Sequence, residues 1–257
     1  MRMKIMILTA GMLACPLAAN AGVVVLGSVR DNTLYEDAAG SKSNGAGNRF
    51  FSGQKQSGIR DRGLILFDIA GNIPAGAQIV SATLQLNMTN SNAPAATVDL
   101  HRVLADWGEG TSDGAGTGAS STTGDATWIH TFFNTSFWTN AGGDFVATSS
   151  ATQSVDTPGF YTWGSTSGMV ADVQAWLDSP ATNFGWIVVG TEFAGFTDKA
   201  YATREHATAS FRPQLTVEFA LNPIPSSSTW GLLGLAGLIG ASVILVHRGR
   251  RFAHSAC

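Results

Sequence analysis

The chain has 257 residues, 15 basic against 18 acidic side chains, a formal net charge of −3, 30 glycines and two cysteines. Five of the basic residues (Arg2, Lys4, Arg248, Arg250 and Arg251) and no acidic ones lie in the two end segments described below, so the interior carries about −8. That charge disfavours nucleic acid and anionic membrane surfaces as partners, and it leaves carboxylates available for divalent cations. Cys15 and Cys257 both fall in the end segments, so no disulfide staples the interior even though an oxidising compartment would allow one.

At the start, Arg2 and Lys4 precede an apolar stretch too short to span a bilayer, and Ala19-Asn20-Ala21 puts small residues where a signal peptidase reads. A signal peptide over 1–21, helical and cleaved after Ala21, is expected. The interior, 22–221, is about 200 residues long, enough for one well-packed core.

Short alternating segments dominate that interior. Val80, Ala82, Leu84, Leu86 and Met88 alternate with polar residues, as a strand with one buried face does. Leu215, Val217 and Phe219 repeat the pattern, and Val98, Leu100 and Leu104 follow it less cleanly. Leu64 to Phe67 and Phe184 to Val189 are continuous apolar runs, as in strands covered on both faces. Gly108 to Gly124 is small and polar and reads as a mobile surface loop. Met169, Val170, Val173, Trp176 and Leu177 fall on one helical face, with Ser167 as cap and Pro180 beyond the end. The expected fold is all-β: a two-sheet antiparallel, jelly-roll-like sandwich with one short helix over 168–178.

The last segment, 222–257, combines a proline-containing linker, a marginal transmembrane helix and a basic tail. The apolar run Gly231 to Val246 has sixteen residues and no charge; at 1.5 Å per residue it covers roughly 24 Å of a ~30 Å hydrocarbon core. Trp230 as interface anchor and snorkelling arginines make that span workable, and Arg248, Arg250 and Arg251 fix the domain outside. With Pro223 and Pro225 upstream, this ordered set resembles the PEP-CTERM group of bacterial sorting signals, although Ile224 replaces the acidic residue usual between the prolines. The resemblance implies recognition by an exosortase-type membrane enzyme. The protein is then exported, and either anchored in the membrane by the C-terminal helix or released after processing.

Within the interior, a series of segments stands in a recognisable order. Asp31-Asn32-Thr33-Leu34-Tyr35-Glu36 comes first, then Arg62 to Ile69, Ile73 to Ala77 and Ile79 to Leu84. Asp106-Trp107-Gly108-Glu109-Gly110, Asp125 to Trp128 and Gly142 to Phe145 follow. The helix Asp172 to Leu177 leads to Asn183 to Trp186, Thr203-Arg204-Glu205 and Arg212 to Val217. This order resembles the DNRLRE domain, which is related to family 96 carbohydrate-binding modules. The resemblance implies a β-sandwich that binds extracellular polysaccharide and carries no catalysis of its own. Known binding in that family is to alginate, a polyanion that a domain near −8 repels. Calcium could bridge the two, or a basic patch among Arg49, Lys55, Arg60 and Arg62 could hold it. A neutral or weakly charged glycan is the reading adopted.

Trp107, Trp128, Trp138 and Trp163 lie in polar, glycine-rich surroundings and are the candidate sugar-stacking platforms, against the alternative that large rings bury themselves in cores. Asp31, Glu36, Glu109 and Glu205 are the candidate ligands of a structural calcium, converging from separate strands because no contiguous calcium loop exists. His101, His130 and His206 lack zinc spacing, and the glycines after Gly108 lack the lysine of a phosphate loop. Two other classes stay open: a structural or adhesive component of a biofilm matrix, and a polysaccharide-degrading enzyme, for which about 200 residues leave no room beside a binding module.

Overall fold

The computed structural model describes residues 21–91 and 93–221. The signal peptide up to residue 20, the predicted spanning helix and the sorting residues Pro223, Pro225, Trp230, Arg248, Arg250 and Arg251 lie outside the described residues. Among the described residues no helix is long and apolar enough to cross a membrane.

Strands β1 (Ala21–Gly27) and β2 (Arg30–Tyr35) are followed by the two-residue β3 (Lys42–Ser43), β4 (Arg49–Gln54) and β5 (Arg60–Leu66). Next come the long β6 (Gln78–Asn90), β7 (Ala96–Arg102) and the short β8 (Ala119–Ser120), β9 (His130–Phe132) and β10 (Ser136–Phe137). β11 (Ala151–Val155) and β12 (Gly159–Gly164) precede α1 (Ser167–Asp178), and β13 (Trp186–Gly190), β14 (Lys199–Ala202) and β15 (Gln214–Ala220) close the fold. Eleven strands share one sheet along the path β1-β15-β6-β14-β4-β5-β13-β7-β11, with β12 also on β6 and β2 also on β5. Among the described residues the fold is thus mostly antiparallel β with one α-helix.

Two separate sheets are not what forms. β4 belongs to both halves: Phe50 pairs with Tyr201 of β14, whereas Gly53 pairs with Asp61 of β5. Gly53 sits at φ 120°, and a Cβ on Gly190 would meet the Gly53 Cα at 2.7 Å. Glycine permits both the backbone angle and the approach. The ladder therefore continues round the bend, and the sheet curls into a half-barrel.

The alternation along β6 holds for Ala82, Leu84, Leu86 and Met88, all buried. Val80 departs from it, 57% exposed, while Ile79 takes the inward place. The cause is a bulge: Glu218 pairs with Ser81 but Phe219 with Ile79, so residue 80 is an extra one that reverses the strand's phase. The continuous apolar runs are covered on both faces. Ile65, Phe67, Trp186 and Val188 belong to the main core, and Leu64, Leu66 and Ile187 to a second cluster with Trp107, Trp128 and Trp138.

The helix starts where the periodicity places it, but its cap is one residue earlier than expected. The Thr166 hydroxyl, not Ser167, accepts the Met169 N–H at 3.2 Å. Met169, Val173, Trp176 and Leu177 face inward, and the Trp176 ring lies 4.6 Å from that of Trp186.

Candidate functional site

The four candidate stacking tryptophans are corrected by their burial. Trp107, Trp128, Trp138 and Trp163 are between 0% and 5% exposed, so none offers a free face to a sugar. Three indole N–H groups are satisfied internally: Trp107 donates to the Phe184 carbonyl, Trp138 to that of Thr127 and Trp163 to that of Val98. Trp128 is flanked by the guanidinium groups of Arg60 and Arg62, 5.1 and 5.0 Å from its ring. A large ring gains more from burial than its polar neighbours in sequence can offset, and here the strands supply a second face on which to bury it.

The segment expected to be a mobile loop is also different. Asp125, fully buried, accepts from the Thr111, Ser112 and Thr122 amides and from the Ser112 hydroxyl. Ala46 donates to the Ser112 carbonyl, and the Tyr35 hydroxyl to that of Ala115. Buried polar groups that find partners fix a chain as firmly as apolar contacts do. Composition alone gives no sign of this.

These tethers bring three distant segments together. Asp31 at the start of β2, Glu109 in the loop after β7 and Glu205 after β14 put carboxylate oxygens within 4.8 Å of one another. Three of the four sequence-predicted metal ligands therefore meet. The fourth, Glu36, does not: Arg60 holds it from Nε at 3.0 Å and Nη2 at 2.5 Å, and lowers its pKa through that hydrogen bonding.

Asn32 and Arg204 build the cluster, and sequence reasoning gave neither a role. The Asn32 side-chain amide donates to the Glu109 carbonyl at 2.9 Å, and its oxygen accepts from Thr33, Ser43 and Asn44. Arg204 donates to both Glu109 oxygens, at 2.7 and 2.6 Å, and lies 2.9 Å from Glu205. Its amide donates to Asp31 Oδ2 at 2.9 Å, and the Asp31 amide to Glu109 Oε1 at 2.9 Å. The only signal for them in the sequence is that each stands directly beside an acid, Asp31 or Glu205.

Three carboxylates thus face one guanidinium. Asp31 Oδ1 and Glu205 Oε2 are buried with no hydrogen-bond partner. Burial, and after it the charges of Glu205 and Glu109, push the Asp31 carboxyl well above its usual range, while the Arg204 amide pulls it back. Burial also raises Glu205. Uncompensated buried carboxylates either take up protons or bind a cation. Ligands across a calcium at 2.3–2.6 Å stand at most about 5 Å apart, and the spacing here falls within that limit.

A second acidic group, missed in the sequence, lies where β4 meets β5. Lys55 Nζ is 2.6 Å from Asp61 Oδ2 and acts electrostatically on Asp198 as well. Burial pushes Asp61 up to about 8 and Asp198 up to about 6, with Lys55 opposing both shifts. The histidines make internal contacts: His101 Nδ1 is 2.9 Å from the Val146 carbonyl, and His130 Nδ1 is 2.9 Å from the Thr127 hydroxyl. No protein-family profile matches this chain, and neither does any curated protein.

Proposed function

We propose that this protein is an exported, non-catalytic module that binds extracellular polysaccharide, and that a divalent cation, calcium by preference, completes its fold. The observation that carries the cation is the convergence of Asp31, Glu109 and Glu205 with two buried, unpartnered carboxylate oxygens. Calcium takes six to eight oxygens and tolerates irregular geometry. Asp31, Glu109 and Glu205 would hold it, Arg204 would keep Glu109 and Glu205 oriented, and the ion would supply the charge that one guanidinium does not.

The polysaccharide reading rests on the resemblance carried by these same segments and on an architecture that fits a jelly-roll-like sandwich bridged at β4. The segments Asp31-Asn32, Asp106 to Gly110 and Thr203-Arg204-Glu205, far apart in the chain, form one rim, as recognition elements on a rigid sheet do. Burial of the four tryptophans moves recognition away from indole platforms and toward hydrogen-bonding groups. The same burial favours, as a second reading, a structural component of an extracellular matrix. Signal peptidase and an exosortase-type enzyme remain the proposed processing partners, with the membrane engaged through the C-terminal helix until processing.

Titration of the purified chain with calcium alone should show one site, lost in Asp31→Asn. A glycan array probed with the same protein, with and without chelator, tests the polysaccharide. A folded chain that takes calcium and binds no glycan would favour the matrix component, and one that takes no calcium would remove the cation from the proposal.

A further inference from the structure

The basic patch suggested by the sequence dissolves in the fold. Lys55 is taken by Asp61, Arg60 by Glu36, and Arg62 by Glu192 at 2.7 Å. Arg30, Arg102 and Arg204 are also paired with acids. Arg49 differs: among the described residues its guanidinium has no ion pair and no hydrogen bond, in a domain with an excess of acid.

Arg49 lines a cleft of about 270 Å3 with Asn48, Phe51, Asn90 and the turn 114–116. The side-chain amides of Asn48 and Asn90 likewise have no internal partner among the described residues. Three planar polar groups, each with donors to spare, therefore line one concavity, with the buried Phe51 ring beneath it. The volume sits at the lower edge of small-molecule sites, which is room for one ring and not for a long chain.

The walls are fixed before any ligand arrives. Asn44 joins them, accepting the Gly114 N–H at 2.6 Å and donating to the Arg49 carbonyl at 2.7 Å. The Thr203 hydroxyl donates to the Gly47 carbonyl at 2.7 Å, and Thr203 leads directly into Arg204 and Glu205 of the carboxylate cluster. A preorganised site loses less entropy when it binds.

We propose that this cleft is a glycan subsite that takes one neutral pyranose ring of a polysaccharide. Arg49 and the two asparagine amides hydrogen-bond its hydroxyls. The assignment rests on the polysaccharide reading above and adds the place and the chemistry. A guanidinium fork matches two adjacent hydroxyls, and amides supply both a donor and an acceptor. The cation cluster braces this wall from behind through residues 44–49 and 203–205.

The test uses the purified chain in calcium with cellohexaose, mannohexaose and a galacturonate hexamer as probes. Arg49→Ala deletes the unpaired fork. Gly116→Leu fills the cleft, since a Cβ there meets only the Phe51 ring, at 3.5 and 3.7 Å. Neither change removes an internal hydrogen bond, so both variants should melt within a few degrees of the parent. Affinity for a neutral hexasaccharide should fall about tenfold or more in each, the loss expected when a hydrogen-bonding group to ligand is removed. A parent that binds a neutral probe while both variants bind within twofold of it would overturn the subsite. Binding to the galacturonate hexamer alone would overturn the neutral ring. Failure of the parent to bind any probe would overturn the polysaccharide reading itself.

Discussion

The Asp31–Glu109–Glu205 cluster and the Asp61–Asp198 pair are built from the same material, buried carboxylates, but they are compensated differently. At Asp61 the chain supplies its own cation: Lys55 Nζ lies 2.6 and 2.8 Å from the two carboxylate oxygens, under the Tyr35 ring at 4.6 Å. At Asp31 a single arginine serves three acids, and Asp31 Oδ1 and Glu205 Oε2 are left without a donor; in the other group Asp198 Oδ1 is also without one, but there Lys55 supplies one charge for two acids. A lysine tethered a few residues from its partner is always present, whereas an external ion is present only when the compartment provides it. The first arrangement depends on pH and the second on pH and calcium together.

The largest expected effect comes from removing the built-in cation. Lys55→Met leaves Asp61 buried without its counter-charge. Breaking a fully buried pair costs about 3–5 kcal/mol, and because the Lys55 side chain is 21% exposed a loss of about 2–4 kcal/mol is expected at pH 9, above the folded value of about 8 for Asp61. Chemical denaturation at pH 9 and pH 5 checks it: the loss should shrink at pH 5, where Asp61 is protonated, and added calcium should not restore it.

Calcium should act on the other cluster alone. At a hundred times its Kd, a ligand confined to the folded state adds about 2.7 kcal/mol, which is roughly 5–10 °C in Tm for a domain of this size. Asp31→Asn should abolish that gain, and Lys55→Met should keep it. Equal calcium shifts in the parent and Asp31→Asn would erase the distinction between the clusters.

The pH dependence sharpens the comparison further. Asp61 and Asp198 have folded pKa values raised to about 8 and about 6. A raised carboxyl favours the fold in its neutral form, so its contribution is complete below the unfolded value near 4 and is lost as pH rises through the folded value. Stability should therefore fall from about pH 4 to pH 8, and Asp61→Asn should flatten the upper part of that fall. Asp31 and Glu205, also raised, add a decline of the same sign, and this part alone should disappear in calcium.

The smallest effect is expected at Glu36, the candidate ligand that the fold places elsewhere. Its pair with Arg60 is partly solvent-exposed, so Glu36→Gln should change stability by less than about 1 kcal/mol. Calcium affinity measured by calorimetry should be unchanged. A large loss of affinity would mean that the cation cluster extends farther than Asp31, Glu109 and Glu205.

What could be read from the chain and what could not follow a physical divide. Leu84, Leu86, Leu215 and Val217 announce their burial because a strand's side chains alternate whatever else it touches. The helix shows itself through Met169, Val173 and Trp176 for the corresponding reason. Val80 misleads because it is the extra residue of a bulge in β6, fixed by pairing with β15 more than 130 positions away in sequence, and the bulge resets the phase. The stretch 108–124 misleads in the other direction: small polar residues among glycines look like loop, and here Asp125 and Asn32 hold it through buried hydrogen bonds.

Hydrophobic period and residue chemistry are local properties, so the chain alone marks the helix, several of the strands and the short list of acids from which a cation site could be assembled. That β4 joins the two halves of the sheet, that the tryptophans face inward, and that Asp31, Glu109 and Glu205 meet while Glu36 does not are properties of the folded chain. Those outcomes depend on hydrogen bonds across 78 and 173 positions, from the Asp31 amide to Glu109 and from the Arg204 amide to Asp31. No local pattern encodes such distances, because the energy that fixes them appears only once the strands between have paired.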